Sequence, residues 1–338
     1  MKNFIALFLA RNREFYRDKG SLAWSIFFPL VLIFGLSTAL SNDKYVYKVG
    51  LLGDLPAAKQ LLHEVPFLDV VAYEDEALAL RRLTRHQLDL VVSTARTSEN
   101  SQPHYWINTQ SKKSFFLEQS LKQLAPGKFS RATVSGQEVG YVAWVVPGIL
   151  CMSLMFSCLY GIGYVIVRYR DNGVLKRLRA TPITALEFLS AQAASRLLIS
   201  VGTLSLVFTG SHFLLQFPVL GSWWLLLLVA VLGAASMISL SLVCAARIDS
   251  LEFMNGLLNL LSWPMMFLSG LWFSLDEAPE FIRQLSQFMP LTHVVDAARA
   301  IMLDGAGLSE LLPHLAVLLT MTVVLMTIAA RSFRWQKE

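Results

Sequence analysis

"SLAWSIFFPLVLIFGLSTAL", Ser21 to Leu40, runs for twenty residues without one charge. A helix needs about 20 apolar residues to cross roughly 30 Å of hydrocarbon. A single central arginine would cost such a helix about 3 kcal/mol, so the absence of charge marks this stretch as a transmembrane span. Working outward, five more stretches have the same character: Gly140–Val167, Leu197–Phe217, Trp223–Ala246, Phe253–Phe273 and Leu311–Ala330. The composition agrees, with 54% hydrophobic and only 16% charged residues where soluble domains carry about 25% charge. The expected fold is an α-helical polytopic membrane protein with six transmembrane helices. A cleaved signal peptide is the competing reading of the first span. The helix-like "FIALFLARNREFYRDKG" before it and the span's full length argue against cleavage.

The net charge is +5, but the basic residues flank apolar runs and form no single patch. They read as topology signals, not as a nucleic-acid surface. Arg11, Arg13, Arg17 and Lys19 precede the first span, and Arg168, Arg170, Lys176, Arg177 and Arg179 follow the second. Arg247 follows the fourth, and Arg331, Arg334 and Lys337 follow the sixth. The third-to-fourth connection, "LLQFPVLGSW", holds no lysine or arginine. With six spans, this pattern places both termini and the segment after the second span of this multi-pass chain in the cytoplasm. Cys151, Cys158 and Cys244 all fall inside spans, which implies no exported disulfide framework.

Between the first two spans, residues 41–137 change character. "YKVGLLGD", "FLDVVAY" and "LDLVVST" read as strands. "PAAKQLLHEV", "DEALALRRLTRH" and "SKKSFFLEQSLKQL" read as amphipathic helices. The alternation predicts an inserted extracytoplasmic α/β or α+β domain. Residues 1–20 read as a cytoplasmic interfacial helix, with Phe4, Ile5, Phe8 and Leu9 leading into a mixed-charge turn. Residues 138–338 carry spans two to six.

Motifs for catalysis are missing from the sequence. "PGKFS" has Gly127 and Lys128, but Lys122 stands where a phosphate loop needs its first glycine. His63–Glu64 has no second histidine at zincin spacing. The remaining histidines, His86, His104, His212, His293 and His314, are spread over separate connections and suggest no metal cluster. Instead, the segment 168–183 stands out. In "YRDNGVLKRLRATP", Leu175 and Leu178 are three apart and share a helical face, while Lys176, Arg177 and Arg179 point elsewhere. Gly173 permits a tight entry, and Pro182 closes the segment. Two leucines on a short cytoplasmic helix suit insertion into a groove on a partner; a solvated basic loop is the plainer reading.

Among polar residues within spans, Asn255 and Asn259 lie four apart beside Gly256, with Glu252 one turn nearer the cytoplasm. They line either a substrate path or a permease interface, and the sequence leaves both open.

These residues carry a resemblance. Asp171, Gly173, Leu175, Leu178, Thr181 and Pro182 resemble the motif that follows the second span in permease subunits of type-2 ATP-binding-cassette (ABC) exporters. Asp171 stands where that family more often has glutamate. "LSGLWFSLDEAPEFIRQLSQFMPLTHVVDAARAIMLDG" resembles its membrane-returning region, here 274–305, and Pro290, Asp296 and Arg299 match while His293 replaces a common tyrosine. The resemblance implies an ATPase-coupling role for the first motif, with Arg177, and an extracytoplasmic gate for the second. It implies a cytoplasmic ABC ATPase dimer that binds ATP and Mg, and a second permease copy or paralogue. The chain itself would have no nucleotide site and no catalytic residues. Export of a small hydrophobic, amphipathic or lipid-like compound is the expected function. A membrane sensor using residues 41–137 as its receptor is the alternative, and no fused signalling domain supports it.

Overall fold

The computed structural model describes residues 2–40, 47–53, 68–73, 75–84, 88–93, 104–124, 129–135, 141–217, 219–272, 275 and 278–335. The chain divides into two compact units, Met1–Ser37 with Val142–Glu338, and Thr38–Tyr141.

The smaller unit is built on a five-stranded sheet of β1 (Tyr47–Leu52), β2 (Leu68–Tyr73), β3 (Leu90–Ser93), β4 (His104–Asn108) and β5 (Ser130–Val134), in the order β2-β1-β3-β4-β5. β1 is parallel to β2 and β3, β3 is antiparallel to β4, and β4 is parallel to β5. Helices Glu76–Thr84 and Lys112–Leu124 join β2 to β3 and β4 to β5. Alternation along each strand splits the core between two faces. Val49, Leu51, Leu90, Val92, Tyr105 and Ile107 meet Leu117 and Leu121 on one side. Leu52, Val91 and Trp106 meet Ala79 and Leu83 on the other. The mixed sheet corresponds to the expected α/β character, but β4 and β5 are additions to the three strands read from sequence. The helix expected in "PAAKQLLHEV", with His63 and Glu64, lies outside the described residues, as do His86, Gly127 and Lys128.

The larger unit is helical. Among the described residues, five helices are long and apolar enough to cross a membrane: α2 (Lys19–Leu40), α5 (Tyr141–Asp171), α7 (Ala185–Leu215), α8 (Trp223–Ala245) and α12 (Leu308–Ser332). (The helices of the small unit are α3 and α4, and the opening helix Lys2–Arg17 is α1.) The fifth expected span is represented by α9 (Leu251–Leu268), which is not among the five. It spans 18 residues, about 27 Å at 1.5 Å per residue, and Glu252, Asn255 and Asn259 dilute its apolar character. It ends at a turn in which Gly270 takes φ 65°, short of the expected end at Phe273, which lies outside the described residues.

Close helix approach depends on small residues. A Cβ at Gly233 of α8 would come within 2.4 Å of Val294 on α11 (Pro290–Asp304), and one at Gly163 of α5 within 2.3 Å of the Ser241 hydroxyl on α8. α8 packs against α12, α7 and α11 and forms the centre of the unit. α1 packs along α7 through Arg11, Asn12 and Phe15, which are buried, while Ile5 and Leu9 of the expected interfacial face stay exposed.

Candidate functional site: the coupling segment and a membrane cavity

α5 runs to Asp171, and after Gly173, whose φ of 68° only glycine adopts readily, the chain forms α6 (Val174–Arg179). Thr181 donates to the Leu178 carbonyl at 2.6 Å and closes the turn before Pro182. Thr184 and Glu187 then form a reciprocal capping box at the start of α7. Asp171, Lys176, Arg177, Arg179, Thr181 and Pro182 are exposed, Gly173 and Leu178 half-buried. Leu175 is 0% exposed. This corrects the paired-leucine reading: spacing puts both residues on one face, but that face turns Leu175 into its own chain. Leu175 anchors α6, and only Leu178 retains surface for a partner.

The foot of α5 is tied to α1. Arg168 reaches Glu14 at 2.7 Å, Arg11 reaches it at 2.8 Å, and the Tyr169 hydroxyl donates to it as well. Burial pushes the Glu14 carboxyl up, but the Tyr169 hydrogen bond and the charges of Arg11 and Arg168 outweigh it and hold it below its usual value. Arg11 also donates to the Gly161 carbonyl at 3.1 Å. Ser195 donates to Asn12 at 3.0 Å. Buried Arg196 of α7 donates to the Ser157 carbonyl of α5 at 2.8 Å, and its guanidinium lies over Phe15. There is room for it because residue 161 is glycine: a Cβ there would sit 1.9 Å from the guanidinium carbon.

Arg11, Glu14, Phe15, Arg168 and Arg196 of this junction, with Asp18, also line a cavity of about 870 Å³ between α1, α2, α5 and α7. Trp24, Phe28, Phe156 and Tyr160 give it aromatic walls, and Ser153, Ser157, Ser200 and Thr203 add hydroxyls. Asn259 contributes from α9 and accepts a hydrogen bond from Tyr160 at 2.7 Å. Its amide donates to the Asn255 carbonyl at 3.1 Å. Asn259 lines the cavity although it too is exposed, and it shares the outward face of α9 with Glu252, Asn255, Leu260, Trp263 and Phe267.

The model of the ABC-2 type transporter family matches residues 107–303, more than half of the chain. The chain belongs to the ABC-2 type transporter family. It is 28% identical to the inner membrane transport permease YhhJ of Escherichia coli over 201 residues, 58% of this chain and 51% of that protein. Against the probable multidrug ABC transporter permease YbhS of E. coli it is 21% identical over 338 residues, covering 89% of this chain and 88% of the relative. It is also 35% identical to nodulation protein J of Rhizobium leguminosarum over 106 residues, 30% of this chain and 40% of that protein. The chain thus spans about half the length of YhhJ. The family is the membrane component of an ABC transporter.

In this permease the second motif packs against the end of α9. Pro290 opens α11 as its first residue. Arg299 donates to the Gly270 and Leu271 carbonyls at 2.7 and 3.0 Å, with its guanidinium 3.8 Å from the Trp144 ring centre. Thr292 bonds Ser269 at 3.1 Å. Asp296 points outward and is exposed. His293 meets His314 of α12, their Nδ1 atoms 3.2 Å apart, while its Nε2 donates to the Gln287 carbonyl at 2.8 Å. The two histidines, 21 residues apart, are neighbours that sequence separated. Among the described residues no group of three or more metal-ligating side chains assembles.

Proposed function

We propose that this permease exports a small hydrophobic or amphipathic compound, or a lipid-like molecule, from a bacterial cell across its inner membrane. Two cytoplasmic ATPase subunits, which bind ATP and Mg, drive it through residues 168–183, and a second permease copy or paralogue covers the exposed face of α9. In this arrangement α9 is the fifth of six spans, both termini are cytoplasmic, and the α/β unit is extracytoplasmic. The observation that carries the reading is the aromatic and hydroxyl-lined cavity of about 870 Å³. Its aromatic surface accepts apolar groups, and its hydroxyls and Asn259 orient polar ones. The relative YbhS is named a probable multidrug ABC transporter permease, which favours a drug-like cargo.

The decisive experiment replaces Asn259 with Leu. Efflux of ethidium or Nile red should fall while the ATPase still co-purifies and hydrolyses ATP; unchanged efflux sinks the path. Asn255→Leu should instead weaken permease pairing. Orientation is read from single cysteines on a cysteine-free background. Ser309 and Gln123, both exposed, should label in intact cells, and Asn172 only after the membrane is opened. Ser93 is 4% exposed and is unsuitable as a probe.

A further inference from the structure

Arg170, the penultimate residue of α5, has a side chain with no exposed area. Its guanidinium has five N–H bonds, and each has an acceptor. Nη1 donates to the carbonyls of Ala245 at 3.0 Å and of Ile248, and Nη2 to those of Ala246 at 3.0 Å and Arg334 at 2.8 Å. Nε donates to the Arg334 carbonyl at 3.2 Å. Asp249 stands 3.7 Å away, and the Phe333 ring lies below at 5.8 Å. The carbonyls of Ala245 and Ala246 belong to the end of α8, where four lose their helical donors and the dipole is negative. The Arg334 amide adds a further bond to Ala246, at 3.0 Å. Phe333 and Trp335 in turn stack on Phe188 of α7 at 5.8 and 5.6 Å.

One rigid fork therefore holds the foot of α5, the end of α8, the turn into α9, and the tail after α12. Arg170 lies within segment 168–183, and the next residue, Asp171, is the first of its motif. A planar guanidinium that satisfies acceptors on three segments at once is stiff, because moving any one of them breaks charge-assisted bonds.

We propose that Arg170 is the positioning residue through which displacement of the coupling segment reaches the α8–α9 turn and the C-terminal tail. The proposal rests on the ATPase-coupling reading above. Arg170 touches neither ATPase nor cargo in this role; it fixes the parts that must move together.

The test uses the permease purified with its ATPase and reconstituted in phosphatidylethanolamine–phosphatidylglycerol vesicles, with ATP hydrolysis and Nile red transport measured on one preparation. Arg170→Lys keeps the charge but has three donors for five bonds. Phe333→Ala keeps every hydrogen bond and removes the ring beneath. For Arg170→Lys, ATPase retained per permease should stay within twofold, while dye moved per ATP falls at least fivefold. Phe333→Ala should give a smaller fall. A merely structural role predicts fewer folded complexes, each with the wild-type ratio, and that result overturns the proposal. A second measurement needs neither ATPase nor cargo. Spin labels at Asn172 and Arg247 should show one narrow distance distribution in the wild type and a broadened one in Arg170→Lys; equal widths overturn the proposal. If the wild type retains no ATPase, the proposed function falls, while the distance measurement still decides for Arg170.

Discussion

In the helical unit buried Arg170 and Arg196 and half-buried Arg299 donate hydrogen bonds to main-chain carbonyls, whereas in the α/β unit the buried anion Glu118 is held by side chains. Lys122 lies 2.7 Å from it and Arg131 2.9 Å, and the Tyr105 hydroxyl donates at 3.0 Å. A carbonyl at a helix end or turn is already fixed by the backbone, so binding a guanidinium there orders little beyond the arginine itself. Lys122 and Arg131 are each about half exposed, so their attraction for Glu118 is weakened by water and costs two long side chains their freedom. The first arrangement makes stiff joints between distant helices. The second makes a local, pH-sensitive clasp.

The strongest way to break this comparison is to bury a charge where no donors wait. Leu175→Asp loses about 1.5–3 kcal/mol of burial and adds the cost of an unpaired buried carboxylate, so the variant should fail to accumulate in the membrane. Leu178→Asp, on the half-buried neighbour, should accumulate normally and hold its ATPase on the order of tenfold more weakly, about 1.4 kcal/mol. Equal accumulation of the two variants would show that Leu175 is not an anchor. Next comes the Arg196 joint. Arg196→Met should cost about 2–3 kcal/mol as charge-assisted bonds are lost, read as a lower thermal midpoint in detergent. Gly161→Val should evict the same guanidinium, and the double variant should cost no more than the larger single one. Simple additivity would mean that residue 161 and Arg196 do not share the site.

The clasp in the α/β unit predicts a smaller effect with a pH signature. Burial raises the Glu118 carboxyl, but hydrogen bonds from Lys122 and Tyr105 and the charge of Arg131 outweigh it and hold it below its ordinary range. Burial and then Glu118 push the Tyr105 hydroxyl up to about 12. A carboxyl lowered by folding stabilises above its unfolded value, about 4.3, and loses that contribution as pH falls through the folded value. Glu118→Gln should therefore speed amide exchange in β4 and β5 by an amount equal to about 1–2 kcal/mol at pH 7, with the gap closing below about pH 4. A gap independent of pH would remove the ionic account. Smallest of all, Lys176→Ala with Arg179→Ala should change stability by no more than about 0.5 kcal/mol, because both side chains are exposed.

The helical unit was largely legible because long apolar runs have few other uses. The sheet was half legible. "HYWIN" lacks clean alternation because β4 sits between two strands and buries both faces, and "SRATV" is too polar to signal a strand although β5 pairs along its whole length. Leu175 shows where periodicity stops: spacing reveals a shared face but not which molecule covers it. In the sequence Arg170 reads only as a topology signal, because a guanidinium whose partners are carbonyls on remote segments leaves no pattern in side-chain types. Nor could spacing pair His293 with His314, since only the packing of α11 on α12 brings them together.

The tail has a practical consequence at the bench. Phe333, Arg334 and Trp335 are committed to the end of the bundle that holds the foot of α5, so a fluorescent protein or affinity handle fused in their place, or joined rigidly next to them, would pull on that seal. A reporter attached through a long, pliant spacer would leave it intact, and the same reporter at two spacer lengths would work as a gauge of how firmly the seal is held.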